Sequence, residues 1–344
     1  MARRRNIIKQ KPTLFIACEG TSTEYDYFST WAKTDKVSEY YGAVNVYPGK
    51  GENNPQTNPY QLFQKAKQAL DDGSADYAWA VFDKDGHPRL QQTLEEARLT
   101  RVKIAFSSRS FEEWVLMHFQ KNNTTFNATE CKDLTGKPIN CGSPFVPSCA
   151  RENCLTGHIR RQNYISDYSK KKTFDLFEAV YQLTEIAVVN AAWLRFQVHA
   201  SVNTIQPALQ TLNPYTDVDQ LILKLHDRSD KIEWGSSGTD ISLNNWTINA
   251  SLANGNIVVR LSHTKPQSVA LNAFFPLPTF FTTDDNLNDT PCTLIEQTFH
   301  LNHRGSSDNL LCRDDIIEYT LQGNNQPYFL FKDESCFARI YIIL

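Results

Sequence analysis

Glycine and proline are scarce in this 344-residue chain, at 14 and 15 residues. That scarcity excludes a collagen-like repeat and a chain made mostly of linkers. Long apolar runs are missing too: AVVNAAWL, at Ala187–Leu194, falls far short of the ~20 residues a membrane span needs. The start, MARRRNIIKQK, is basic but lacks an apolar stretch and a small-residue cleavage site. No secretory leader is therefore expected, and the cytoplasm is the expected compartment. Neither charge sign dominates, since 35 Lys and Arg face 38 Asp and Glu. Gly49-Lys50-Gly51 lacks the Gly-x4-Gly-Lys-Ser/Thr framework, so no nucleotide-hydrolysing motor is encoded. What the chain does have is 41% apolar and 12% aromatic residues, enough for real cores. Its length predicts two or three domains.

Short apolar runs alternate with helical patterns in the first third. TLFIAC at Thr13–Cys18, Ala43–Tyr47, Tyr77–Phe82 and Val102–Phe106 read as strands. Helices are expected at Thr23–Ala32, Pro59–Leu70, near Leu90–Leu99 and at Phe111–Phe119. Four such alternations predict a parallel sheet with helices on both sides. Residues 120–172 are polar and rich in Cys, followed by helical sections at about Thr173–Phe196 and Asp217–Leu225. Beyond Lys231 the texture changes to short alternating runs: Asp240–Ile248, Asn256–Ser262, Tyr328–Phe331 and Ala338–Leu344, with an Ala-Asn-Gly turn at Ala253–Gly255. These predict a β-sandwich-like accessory domain at 231–344. It holds seven Lys and Arg against twelve Asp and Glu, so it is acidic while the rest is slightly basic.

Glu19 directly follows the first buried run, and Asp83-Lys84-Asp85 follows the third. Strand C-termini of a parallel sheet open into the crevice where ligands bind. Alternate residues of an extended chain point the same way, so Asp83 and Asp85 can face one point. Three carboxylates there suit a hard divalent cation. The Asp pair also fits plain capping of the following helix. A carboxylate straight after a buried strand, with Gly20 permitting a tight turn, is harder to read as a cap. His87 reads as a metal-shell contact or a surface-loop residue, and His118, on an apolar helical face, as a packed core histidine.

ACEGTSTEYDYF at Ala17–Phe28, VFDKDGHP at Val81–Pro88, SSRSFEEWVLMHF at Ser107–Phe119 and NPYTDVDQLILKL at Asn213–Leu225 resemble, in order, the motifs of RloB-like proteins. The resemblance spans roughly residues 10–228. It implies a Toprim-type core, related to nucleases and topoisomerases that share a Glu and an Asp-x-Asp motif. Glu19, Asp83 and Asp85 would then be the metal-binding acidic set for Mg2+ or Mn2+, with Glu24 and Glu112 as further catalytic candidates. The implied fold class is α/β: a Toprim-like, mostly parallel sheet flanked by helices, over residues 1–230. A Cys-rich insertion at about 120–160 interrupts it, and the separate all-β domain read from the alternating runs lies outside the resemblance. The implied activity is metal-dependent cleavage of phosphodiester bonds in RNA, tRNA by family analogy, or DNA, in bacterial antiphage defence. The alternative is a non-catalytic nucleic-acid-binding or scaffold subunit of a defence complex. One departure is visible: Ser108-Arg109-Ser110 stands where the family usually carries Asn-Pro.

Two further clusters carry chemistry. Arg160, Arg161, Lys170, Lys171 and Lys172, interleaved with Tyr164 and Tyr168, read as a nucleic-acid track or as a solvated helix flank. Cys131, Cys141, Cys149 and Cys154 fall within 24 residues and suit a structural Zn2+, with His158 as a substitute ligand. Reduced free thiols or two disulfides are the competing readings, the second disfavoured in the cytoplasm. The expected partners are a nucleic-acid substrate and either a defence-complex protein or further copies of the chain, with no membrane. The acidic β domain is the expected sensor, assembly surface or masking element.

Overall fold

The computed structural model describes residues 10–49, 52, 57–84, 86–130, 135, 137, 153–165, 168, 175–201, 209–228, 231–243, 246–263, 269–270, 279–300, 310–311, 315–333 and 338–344. The chain divides into two compact units, Met1–Arg228 and Ser229–Leu344. Asp85, Cys131, Cys141, Cys149, Lys170, Lys171 and Lys172 lie outside the described residues.

The first unit is a mixed α/β fold. Its strands are β1 (Thr13–Cys18), β2 (Ala43–Tyr47), β3 (Tyr77–Asp83), β4 (Lys103–Ser108) and β5 (Tyr215–Thr216). They line up in the order β2-β1-β3-β4-β5, with the first four parallel and β5 antiparallel to β4. The near-continuous apolar sequences of β1 and β3 follow from their central places, where helices cover both faces. Helices α1 (Thr23–Trp31), α2 (Asp35–Tyr40), α3 (Pro59–Asp71) and α4 (Leu90–Arg98) occupy the connections. α3 shows why: Asn58 caps it by accepting the Gln61 amide, and Pro59 stands at its first turn. Leu62, Phe63, Ala66, Ala69 and Leu70 form its buried stripe. Gly73, at φ +75°, leaves the helix in the left-handed conformation that glycine adopts freely.

Further helices complete this unit: α5 (Glu112–Met117), α6 (Leu155–Arg161), α7 (Leu176–Val180), α8 (Thr184–Ser201) and α9 (Val218–Leu225). α5 is shorter than the Phe111–Phe119 stretch read from sequence and is buried along its whole length. Its Trp114–Met117 run is apolar on every side and belongs inside the molecule, and it carries Glu112 and Glu113 in with it. α8 packs against it, and Asn190 donates a hydrogen bond to the Met117 carbonyl at 2.8 Å, satisfying an acceptor at the end of α5. The expected helical section Thr173–Phe196 is instead split by a 3-10 turn at Tyr181–Leu183, where the Thr184 hydroxyl bonds the Tyr181 carbonyl. Tyr27 and Phe28 of α1 pack edge-on against Phe111, and Trp31 against Phe177 of α7.

His118, just after α5, is a packed core histidine. Its Nδ1 donates to the Trp114 carbonyl at 3.0 Å, and burial pushes the imidazole down to about 4. Below its ordinary value the unfolded chain takes up a proton that the folded imidazole refuses, so stability falls as pH drops from 6.5 toward 4. Between pH 7 and pH 5 the expected loss from this group is about 2 kcal/mol. Urea unfolding at both pH values should show a drop smaller by that amount in His118→Gln. An identical drop in the variant contradicts the assignment.

The second unit is all β: β6 (Lys231–Ser236), β7 (Ile241–Leu243), β8 (Trp246–Ala253), β9 (Asn256–His263), β10 (Val269–Ala270), β11 (Thr279–Thr283), β12 (Asp289–Pro291), β13 (Leu294–His300), β14 (Leu310–Leu311), β15 (Ile316–Gln322), β16 (Tyr328–Asp333) and β17 (Ala338–Ile343). Two five-stranded sheets, ordered β12-β11-β16-β17-β6 and β13-β15-β9-β8-β7, share one apolar core. Ile248, Val259, Ile317 and Tyr319 line it from one sheet and Phe329, Phe331, Ile340 and Ile342 from the other. The expected single alternation at Asp240–Ile248 is in fact the paired strands β7 and β8. The Ala-Asn-Gly turn does link β8 to β9, with Asn254 and Gly255 both at positive φ, as a two-residue hairpin turn requires.

Candidate functional site

The strand order reverses between β1 and β3: the chain steps from β1 to β2 on one side and returns to β3 on the other. The C-terminal ends of β1 and β3 therefore flank a topological switch point, the usual ligand crevice of such sheets. Glu19 follows β1, and its amide donates to the Val81 carbonyl of β3 at 3.0 Å, extending the pairing by one residue. Asp83 ends β3, and its amide donates to Glu19 Oε2 at 3.0 Å. The other Glu19 oxygen meets His87 Nε2 at 3.0 Å. The Glu19 carboxylate thus reaches the backbone of Asp83 and is held from two sides.

Glu24 comes from the first turn of α1, and its carboxylate lies against Gly20. A Cβ at Gly20 would stand 1.6 Å from Glu24 Oε2, so the missing side chain leaves room for the acid. Glu112, at the start of α5, is fully buried and accepts hydrogen bonds from Ser110 Oγ and the Tyr168 hydroxyl, each at 2.7 Å. Burial pushes the Tyr168 phenol well up, and the charges of Glu112, Glu24 and Asp83 push it further. Those three carboxylates are therefore within electrostatic reach of one hydroxyl. Asp83 and Glu24 are themselves only 8% and 7% exposed. Gathering acids in so little water is unfavourable for each of them unless cations or donors compensate.

A nucleic-acid track would have Tyr168 facing bases and Arg160 facing phosphate, and a solvated helix flank would have both facing water. Both point inward instead. Arg160 is 8% exposed, and its Nη1 donates to the Tyr168 carbonyl at 2.6 Å, which places the phenol over Glu112. Tyr164 stacks on Phe119 at 4.8 Å and bonds Gln120. Arg161, half-buried, is the described member of the basic cluster that keeps access to solvent. Cys154 is buried at the start of α6, and its sulfur crowds the space beside Gly157. His158 meets Gln120 at 3.0 Å, and burial, then Arg161, lowers its imidazole. Among the described residues, no three His, Cys, Asp or Glu side chains form a group that could hold a metal ion.

Neither Ser110 nor Tyr168 was singled out from sequence as a positioner of Glu112. Ser110 could have been found, because Ser-x-Glu at a helix start is a local pattern. Glu113 was also passed over. It is fully buried without a hydrogen bond of standard geometry among the described residues. Burial pushes its carboxyl well up, against the pull of the Arg109 amide, and the neighbouring Glu112 adds to the rise. Asp217 and Asp219, in the last of the quoted motifs, serve the scaffold. Asp217 exchanges hydrogen bonds with the backbone of Phe106, and Asp219 pairs with Arg195.

Tyr168→Phe tests the buried contact. It removes one of the two described donors to Glu112, and the expected cost is about 1.5–3 kcal/mol in urea unfolding. Unchanged stability would show that Glu112 does not depend on this hydroxyl.

The fold and this sheet edge define an α/β protein with acidic residues at the switch point of a parallel sheet. The chain belongs to the RloB-like protein family, whose model matches residues 14–225. No curated protein matches it. Among solved structures, an isomaltulose synthase mutant from Erwinia rhapontici NX5, in complex with its natural substrate sucrose, is 14% identical over 78% of this chain. The match spans 47% of that enzyme at a TM-score of 0.15 and carries no argument. No helix among the described residues is long and apolar enough to cross a membrane.

Proposed function

We propose that this chain is a metal-dependent nuclease of the Toprim type, cleaving phosphodiester bonds in RNA, tRNA among them, or in DNA. The observation that carries the reading is the Asp83 amide bonded to the Glu19 carboxylate across the switch point. It brings the Glu19 carboxylate to the backbone of a second acidic residue, 64 positions on in the chain, which supports a shared acidic edge. The donor chemistry fits the expected group: carboxylate oxygens suit Mg2+ or Mn2+. Glu19, Asp83 and Asp85 would hold the ion, with Glu24 and Glu112 beside them. Bound there, it would supply an activated water and neutralise charge on the phosphate.

The chain's own residues do the positioning. The Asp83 amide and His87 fix the Glu19 carboxylate, so it needs no reorganisation when substrate arrives. His87 Nε2 can hold a proton against Glu19 Oε1. Ser110 and Tyr168 fix Glu112 in the same way. Arg161, with Lys170, Lys171 and Lys172, would contact the substrate backbone. Cys154, with Cys131, Cys141 and Cys149, would hold a structural zinc. A role in bacterial antiphage defence, in the cytoplasm and with a complex partner or further copies of the chain, follows from the family resemblance alone.

The alternative is a non-catalytic nucleic-acid-binding or scaffold subunit. Incubating purified protein with total cellular RNA and DNA plus Mg2+ or Mn2+, then sequencing new ends, separates the two. The nuclease reading expects new ends that vanish with EDTA. No metal-dependent ends on any nucleic acid would favour the scaffold.

A further inference from the structure

Beside the carboxylates lies a cavity of about 350 Å3 between the start of α3 and the loop joining β3 to α4. Asn58, Pro59 and Tyr60 form one wall, and His87, Pro88 and Arg89 the other. We propose that this cleft seats one nucleobase of the strand whose backbone crosses the Glu19–Asp83 edge. The inference rests on the nucleic-acid reading above and adds a subsite to it.

Three observations carry it. The first is position: His87 belongs to both places, lining the cavity and bonding Glu19 at 3.0 Å, so the cavity wall is one hydrogen bond from the Glu19 carboxylate. The second is size, at the small end of the roughly 300–1,000 Å3 range of small-ligand pockets, which suits one heterocycle rather than a folded segment. The third is chemistry. Tyr60 presents a ring braced by Phe63 at 6.5 Å, with the Arg89 guanidinium 4.8 Å from its centroid. A planar aromatic paired with a planar cation is the surface on which unpaired bases stack, and a base–aromatic stack is worth roughly 1–3 kcal/mol. Two prolines make the lining apolar enough to favour a flat uncharged ring over a phosphate. No carboxylate is among the lining residues, and Arg89 supplies positive charge for the backbone that follows. The side-chain amides of Asn58 and Gln61, bonded to each other at the helix start, close the polar end of the cavity.

The test uses the full chain and single-stranded oligonucleotides with 2-aminopurine placed at successive positions, in EDTA so that nothing is cut. Wild type is expected to quench the fluorophore at one position. Tyr60→Ala should lose that quench and bind the strand about tenfold more weakly. Tyr60→Phe should behave as wild type. Strands abasic at the quenched position should bind wild type and Tyr60→Ala equally. If Tyr60→Ala and Arg89→Ala bind normal and abasic strands as wild type does, the inference is overturned. It is also overturned if 2-aminopurine riboside monophosphate binds and the strands do not. The two readings fail separately. Base-dependent binding without any cleavage sinks the nuclease but keeps the subsite, and cleavage indifferent to Tyr60→Ala does the reverse.

Discussion

Asp83→Asn is expected to lower metal-dependent cleavage on the order of a thousandfold while leaving the fold intact. The substitution keeps the size of the side chain and removes its charge. The contact that links β3 to Glu19 uses the Asp83 backbone amide, so it survives. What disappears is an anionic oxygen in a crevice where the acid is only 8% exposed, and where water does little to replace it. Glu19→Gln should give a loss of similar size, since either change subtracts one charge from the same edge. Single-turnover cleavage of the strand identified by end sequencing is the measurement, with circular dichroism as the folding control. A variant within tenfold of wild type would remove Asp83 from the reaction.

Arg195→Met carries the largest expected effect on stability. Arg195, on α8, grips Asp219 on α9 with two hydrogen bonds, at 2.5 and 2.7 Å, and also donates to the Thr216 carbonyl of β5 at 3.0 Å. Asp219 is 1% exposed. Removing the cation leaves a buried carboxylate without its counter-charge, a change that costs about 3–5 kcal/mol. Replacing both partners by apolar residues of similar volume, Arg195→Met with Asp219→Leu, should recover most of that loss, because no charge is then stranded. Urea unfolding of the three proteins decides the matter. A single variant within about 1 kcal/mol of wild type would mean that the pair contributes little, as exposed pairs do.

The parts of the site legible in the sequence are those where an acid interrupts an apolar strand. TLFIAC followed by Glu19, and Tyr77–Phe82 followed by Asp83, state both the strand and its end. Parallel order then brings those ends together without any knowledge of side-chain contacts. Glu112 and Tyr168 show where such reading stops. They are 56 residues apart, and nothing local says that the phenol turns inward to the carboxylate. Arg160 and Arg161 are alike in sequence, yet one is buried under Tyr168 and the other is not, because neighbouring helical positions face different surroundings. β5, at two residues, is too short to show a period, and its pairing depends on where the Asn213–Leu225 segment meets β4. In the second unit, β13 escaped notice because it lies at a sheet edge, with largely exposed side chains and no clean alternation.

Mn2+ titration of the intact protein, followed by electron paramagnetic resonance, probes the acidic crevice most directly. Wild type should bind the ion, and the double variant Glu19→Gln/Asp83→Asn should bind it at least about tenfold more weakly at the same pH, since two anionic ligands become neutral amides. Equal affinity in the two proteins would place the ion elsewhere and contradict the assignment of these carboxylates.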